Sequence, residues 1–396
     1  MIHVGIDVGK LKHCFCILDY STGEELVKPT FFENNQAGFD LLTHALEAYS
    51  RDDELLIGME DTGHYHFALL RYLLDHNFSV ALMNPTTTDF ERKRQGSCTK
   101  NDKLDTITIC DVLASNTHRK KLYRLVTPNN FKFYEMKQLT RQHHNLKEQK
   151  NVYSNRLQRA IDLTFPEFNQ LFKSKYGTVY MTVLKNFGSA DKIAKADLRS
   201  LRKCFDVKGR GSRIALTAEK LKEAAKASVG FSSIAEELNI KHLAAQIELI
   251  NEQIAEIDKK IEEFSLETNS PILSMPGISH FSGTSILAEL GEIRNSDKVS
   301  KVIKMAGVAP REYESSQYRA EHMAITKKGS TYLRKTLYQI ITPVIRYNPV
   351  FKRFYDLKRS QGKGHRCAQG HCVRKLLRVI YHLLITNQQF DPALLK

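Results

Sequence analysis

The chain runs to 396 residues, 42% of them hydrophobic and 26% charged, enough apolar material for two or three packed domains. Lys and Arg number 59 against 44 Asp and Glu, a net charge of +15 that points to a polyanion such as nucleic acid, whose phosphates release counterions on binding. No stretch approaches the ~20 apolar residues of a membrane span, and MIHVGIDVGK lacks the apolar core of a signal peptide, so no membrane partner and an intracellular location are expected.

From the N-terminus, residues 2–8, 12–19 and 26–32 read as three strands separated by short polar turns. Phe39, Leu42, Leu46 and Tyr49 recur at helical spacing and predict a helix over 36–49. LLIGME (55–60) reads as a fourth strand, followed by a helix to about residue 75; FSVALMN (78–84) reads as a fifth, stopped by Pro85. A polar, basic loop is expected over 86–101, and Asp102 then opens a helix through Leu113. Three strands, then helix, strand, helix, strand, helix is the chain order of the ribonuclease-H-like fold, an order that other α/β layouts share.

Residues 131–161 read as a basic helix, and 166–235 as basic helical pieces broken at Gly177, Gly188, Gly209 and Gly211, with no recognisable motif. Leu243, Ile247, Ile250, Ile254, Ile257, Ile261 and Phe264 follow strict 4–3 spacing. That narrow seam predicts a coiled coil, formed with the 131–161 helix or with another protomer; a lone amphipathic helix would show a wider stripe. From Pro271 to about Leu384 the chain reads as helical, with loops at Pro276-Gly277, Gly307–Ser316 and Gly329. Between Arg346 and Arg378 ten Lys or Arg meet one acid, Asp356, and interleave with Tyr347, Phe351, Phe354 and Tyr355. Such a mixture suits phosphate contact with base stacking.

Four carboxylates carry the chemistry. Asp7 lies inside an apolar strand, where an unpaired carboxylate is costly. Glu60 ends another apolar strand, and Asp102 and Asp105, three apart, share one face of a helix. Taken singly, Asp7 suits a turn with Gly9, Asp102 an N-cap and Asp105 a first-turn acid. Taken together, in a sheet whose first and fourth strands are neighbours, they suit Mg²⁺, which takes carboxylates and water. A pair of such ions can hold the attacking and leaving oxygens of phosphoryl transfer. His64 and His66 follow Glu60 closely, and fit either a place beside this site or an exposed pair. His365, Cys367, His371 and Cys372 lack zinc-knuckle spacing and read as a basic loop entering a core helix. Cys14 and Cys16 alternate on a strand as core residues; the seven cysteines in all fit free thiols in a reducing compartment.

The set GIDVGK (5–10), EDTGHY (60–65), NP (84–85) and KNDKLD (100–105) resembles the N-terminal domain of the DEDD transposases of bacterial insertion sequences. Relatives of that family include pilin-gene invertases and bridge-RNA-guided recombinases. The resemblance continues through SMPGISHFSGTSILAELGEI (274–293), KMAGVAPREYESS (304–316) and ITKKGSTYLRKTLY (325–338). It implies a RuvC-like (ribonuclease-H-like) α/β domain over 1–125, a helical coiled-coil region over 126–268 and a helical transposase domain over 269–396. It also implies that Asp7, Glu60, Asp102 and Asp105 form a tetrad for Mg²⁺ or Mn²⁺. The family's nucleophilic serine follows A-G-x-x-P by a short spacer, which falls at Ser315; Ser316 stands where glycine is usual. Asn101 stands where the family commonly has the threonine of K-T-D.

The resemblance further implies a 5′-phosphoserine intermediate, double-stranded DNA as donor and target, and a bridge RNA that chooses sites by base pairing. A homo-oligomer, dimer or tetramer, would share a composite site, working in the bacterial cytoplasm at the nucleoid. PGIS (276–279) resembles a helix-hairpin-helix turn in which backbone N–H groups around Gly277 hold a phosphate. Lys100, Arg311, Lys327, Lys328 and Arg334 are expected phosphate or RNA contacts. A junction-resolvase-type nuclease would use the same tetrad without the serine, and an actin-like ATPase would need a second acid-plus-glycine loop that is not found.

Overall fold

The computed structural model describes residues 2–49, 54–61, 63–94, 96, 101–115, 122–206, 216–231, 233–293, 298–311, 314–315, 318–319 and 324–394. The chain forms two compact units, Met1–Lys132 and Phe133–Lys396.

In the first unit, β1 (Ile2–Val8), β2 (Lys12–Asp19) and β3 (Glu24–Glu33) make an antiparallel meander. Helix α1 (Gln36–Tyr49) leads to β4 (Leu55–Glu60), which lies parallel to β1, and α2 (His66–Asp75) crosses to β5 (Val80–Met83), parallel to β4. These elements fall where the apolar periodicity put them. The expected loop after Pro85 does not: residues Pro85–Arg94 form a helix, α3. A proline lacks the N–H that a strand ladder needs, and the same lack suits the first turn of a helix. Asn84 caps that turn, its side chain accepting from the Thr86 N–H at 2.9 Å. Helix α4 (Asp102–Ala114) follows, capped by Asn101, whose side chain accepts from the Lys103 N–H at 3.0 Å. Asn101, not Asp102, is therefore the cap. A sixth strand that the sequence reading missed, β6 (Tyr123–Val126), pairs antiparallel with β5 and completes the order β3-β2-β1-β4-β5-β6.

Side chains alternate across a strand, so the sheet has two distinct faces. Ile2, Val4 and Ile6 of β1 and Leu55, Ile57 and Met59 of β4 pack with Leu42, Leu46, Leu69 and Leu73 of α1 and α2. The opposite face receives α4, with Ile109, Val112 and Leu113 packed on Ala81, Met83 and Leu56.

Among its described residues the second unit is helical apart from one pair of short strands and one isolated bridge. Two long helices, α5 (Asn129–Thr164) and, after a run of short ones, α11 (Ile234–Thr268), run antiparallel. The Phe231 N–H bonds to Leu163 O near one end, and His143 Nε2 lies 3.2 Å from Asp258 near the other. Between them the chain forms α6 (Phe168–Leu171), α7 (Thr178–Asn186), α8 (Ala190–Lys195), α9 (Leu198–Lys203) and α10 (Ala218–Lys226), which share a core around Phe168, Tyr180 and Leu201. The seam residues Ile250, Ile254, Ile257 and Ile261 are buried against Leu139, Leu146 and Tyr153 of α5. Of the two partners the 4–3 spacing allowed, the one in the same chain covers the seam.

The rest comprises α12 (His280–Leu290), α13 (Val299–Met305), β7 (Glu314–Ser315), β8 (Tyr318–Arg319), α14 (Thr331–Tyr347), α15 (Pro349–Ser360) and α16 (His365–Thr386). Their core gathers Ile286, Leu337, Ile341, Phe351, Leu376 and Ile380. No helix among the described residues is long and apolar enough to cross a membrane.

Candidate active site

Two glycines set the strands that carry Asp7 and Glu60 against the helix that carries Asp102 and Asp105. Gly5 on β1 and Gly58 on β4 are paired in register and lie on the face that receives α4. An ideal β-carbon on Gly5 would stand 1.9 Å from Thr106 O, and one on Gly58 2.8 Å from Leu113 Cδ1. The missing side chains let α4 lie directly on the strands. Two residues further along each strand, on the same face, come Asp7 and Glu60. Thr106 crosses at Gly5, so the first turn of α4, carrying Asp102 and Asp105, lies toward the same strand ends. Asp7 and Glu60 are half-buried, Asp102 is exposed and Asp105 is buried.

Cys14 stands opposite Asp7 on β2. Burial, then the charges of Cys16, Asp7 and Asp102, push its thiol up to about 12, so it stays protonated at neutral pH. The four acids are hard oxygen donors, the kind that suits Mg²⁺ or Mn²⁺. Among the described residues no three His, Cys, Asp or Glu side chains stand close enough to hold one ion as they are. Two of the four acids are turned to α3: Thr88 Oγ1 donates to Glu60, and Arg92 Nη1 lies 3.5 Å from Asp105 Oδ1. Neither Thr88 nor Arg92 stands out in the sequence while its polar, basic segment is taken for a loop. The fourfold spacing of Thr88 and Arg92 was a signal once Asn84-Pro85 was read as a helix start. Of the two readings open for His66, the exposed one does not hold: the ring is buried at the start of α2, its Nε2 3.6 Å from Asp61. Burying the ring there is the helix's apolar demand overriding a polar type.

Ser315 lies on β7, where it pairs with Tyr318 of β8 in a short arm. Residues 309–311 and 324–326 pair at the base of this arm, through the isolated Pro310–Ile325 bridge, Arg311 N–H to Ala324 O at 3.0 Å and Thr326 N–H to Ala309 O at 2.8 Å. Ser316 and Lys100 lie outside the described residues. Arg311, Lys327 and Lys328 are exposed along this arm. Arg334 is partly spent on structure: its Nη1 donates to Ala306 O at 3.3 Å and to Lys327 O at 3.2 Å, clasping the base of the arm. Gly307 makes room for that guanidinium, since a β-carbon there would stand 2.6 Å from Arg334 Nη1.

The arm is also tied to α5. Ser330, which caps α14, donates a 2.7 Å hydrogen bond to Glu289 Oε2, and Arg141 grips the same carboxylate at 2.7 and 3.1 Å. Burial pushes the Glu289 carboxyl up, but the Arg141 and Ser330 hydrogen bonds outweigh it and hold the group below its ordinary value. Nothing in the sequence reading singled out Glu289. Gly277 sits in its turn at a φ of +95°, against the backbone of Val344. The helix it precedes closes its own first turn with a Ser279–Ser282 capping box, which takes up donors a phosphate would use. In the basic run, Phe351 is fully buried, and Phe354 and Tyr355 pack against the core. The expected base-stacking row is thus mostly core packing at helical spacing, with Tyr347 exposed. His365 Nδ1 bonds Tyr355 Oη at 2.7 Å, His371 meets Arg374, and Cys372 is a core residue.

Comparison with known proteins falls on both halves. Residues 4–166 match a family model of DEDD, IS110 type described as Transposase, and residues 269–356 match one described as Transposase IS116/IS110/IS902 family. The pilin gene-inverting protein of Moraxella lacunata is 22% identical over 395 residues, covering 99% of this chain and 98% of its own length. A Streptomyces coelicolor protein named for the IS117 mini-circle is 23% identical over 98% of this chain and 95% of its own. The protein is a DNA recombinase of the transposase class. Within that class it belongs to the IS110 family of DEDD transposases.

Proposed function

We propose that this transposase cuts and rejoins double-stranded DNA through a phosphoserine formed on Ser315, with Asp7, Glu60, Asp102 and Asp105 as a divalent-cation site in a ribonuclease-H-like (RuvC-like) domain. The observation that carries the reading is the paired Gly5 and Gly58, which set α4 on the strands just before two acids and beneath two more. The sheet order, with an antiparallel β1–β3 meander and β4 and β5 parallel to β1, supports the ribonuclease-H-like assignment.

Ser315 Oγ attacks phosphorus, the P–O3′ bond breaks, and the departing 3′ oxygen takes up a proton. The ester so formed keeps the bond free energy of the phosphodiester. A second 3′-hydroxyl can then attack the phosphoserine and release the serine, rejoining DNA without ATP. A bound Mg²⁺ or Mn²⁺ would offset the charge that develops on the phosphate oxygens. Arg311, Lys327 and Lys328, exposed along the serine arm, are suited to hold the DNA backbone, and Lys100 and Arg334 are further candidates. A bridge RNA as guide, and a homo-oligomeric dimer or tetramer with a composite site, are part of the same reading. The α5–α11 seam gives that oligomer no support, because it is covered within one chain.

Covalent trapping tests this. Wild type, Ser315→Ala and Asp102→Ala are incubated with Mg²⁺, the RNA encoded beside the gene and labelled cognate DNA, then run on a denaturing gel. A DNA-shifted protein band in wild type that both variants lack is the expected result. Cleavage that persists in Ser315→Ala without such a band would make the protein a hydrolytic nuclease.

A further inference from the structure

We infer that Thr88 and Arg92 of α3 are positioning residues of the carboxylate site, and that Arg92 is the counter-ion Asp105 exchanges for a divalent cation. The inference rests on the metal reading above. Residues four apart share a helix face, and this face meets both Glu60 and Asp105. Thr88 is 3% exposed; its hydroxyl donates to Glu60, with Pro85 O at 2.9 Å as a second acceptor. Arg92 is 14% exposed at its side chain, and its guanidinium spans Asp105 and Asp89 at 3.5 Å each.

The two contacts differ in kind. Carboxylates brought to one sheet edge repel one another, and burial strengthens that repulsion. A guanidinium against Asp105 relieves it while no metal is bound. A divalent cation arriving at Asp105 meets that guanidinium as a like charge competing for the same oxygens, so one displaces the other. Thr88 brings no charge; its hydroxyl orients Glu60 in either state, as groups behind metal ligands commonly do. The two residues should therefore act on metal affinity with opposite signs. A merely structural role for α3 would give both variants the same sign.

The experiment is a Mn²⁺ titration of metal-free full-length protein, with free Mn²⁺ read by electron paramagnetic resonance and folding checked by urea unfolding. Arg92→Gln should bind Mn²⁺ about tenfold tighter than wild type, Arg92→Lys should stay near wild type, and Thr88→Val should bind about tenfold weaker. Arg92→Gln binding equally or more weakly overturns the counter-ion role, and unchanged binding in Thr88→Val overturns the positioning role. Asp105→Asn is expected to lose affinity. Equal binding by Asp105→Asn and wild type would remove the metal reading itself, and this inference with it.

Discussion

Replacing Gly5 with alanine is the sharpest probe of how the fold builds the site. The new β-carbon would stand 1.9 Å from Thr106 O and 2.9 Å from Cys110 Sγ, where real contacts do not fall under 3.0 Å. The first obstacle is helix backbone, so α4 must withdraw by roughly 1 Å or β1 must buckle. Overpacking of this kind costs about 1–3 kcal/mol. Asp102 and Asp105 ride on the turn that moves, and a misplacement of about 1 Å can cost on the order of 100-fold in rate. Single-turnover cleavage of cognate DNA should therefore fall about 100-fold, while urea unfolding stays cooperative. Gly58→Ala is the milder case: its nearest obstacles are side-chain atoms, Leu113 Cδ1 at 2.8 Å and Ile109 Cγ2 at 2.9 Å, rather than helix backbone. It should lose less than about tenfold. Wild-type cleavage by Gly5→Ala would refute the claim that α4 contact at Gly5 sets the carboxylates.

Removing the Glu289 carboxylate by Glu289→Ala strands Arg141 and Ser330 and should cost about 3 kcal/mol, the low end for a broken buried pair because Arg141 keeps 35% exposure; a urea midpoint within error of wild type would count against it. Burial, followed by the charges of Lys335 and His143, holds the His144 imidazole down to about 4 from its ordinary 6.5. The unfolded chain thus takes up a proton that the folded state refuses, so stability is full above pH 6.5 and falls as pH drops toward 4. His144→Gln should flatten that decline, and identical slopes for the two proteins would exclude His144 as its source. Ile254→Ala empties a site 5% exposed between α5 and α11 and should cost about 2–4 kcal/mol while leaving the oligomeric state unchanged. Dissociation of the variant in light scattering would mean the seam also joins protomers.

Much of the first unit was legible because its elements are written in local periodicity. Strands at 2–8, 12–19 and 55–60 and the helix at 36–49 keep those bounds in the structure. Asp7 and Glu60 were legible as charges on apolar strands, and Asp102 and Asp105 as acids three apart at the start of a helix. A finer signal was also present: Gly5-Ile6-Asp7 and Gly58-Met59-Glu60 each place a glycine two residues before the acid, on the acid's own face of the strand. Helix α3 was misread because its composition, Thr, Asp, Glu, Lys and Arg, is that of a loop. It faces carboxylates rather than an apolar core, and so carries no apolar stripe.

The acids, their order, the 4–3 seam and the family to which they belong can be read along the chain, since each is a matter of residue type and spacing. That α5 covers the seam, that Phe351 is core rather than a stacking platform, and that Glu289 joins Arg141 to Ser330 emerge from the folded chain alone. Those outcomes join residues far apart in the chain, and the choice among partners of equal local fitness is made by packing and desolvation.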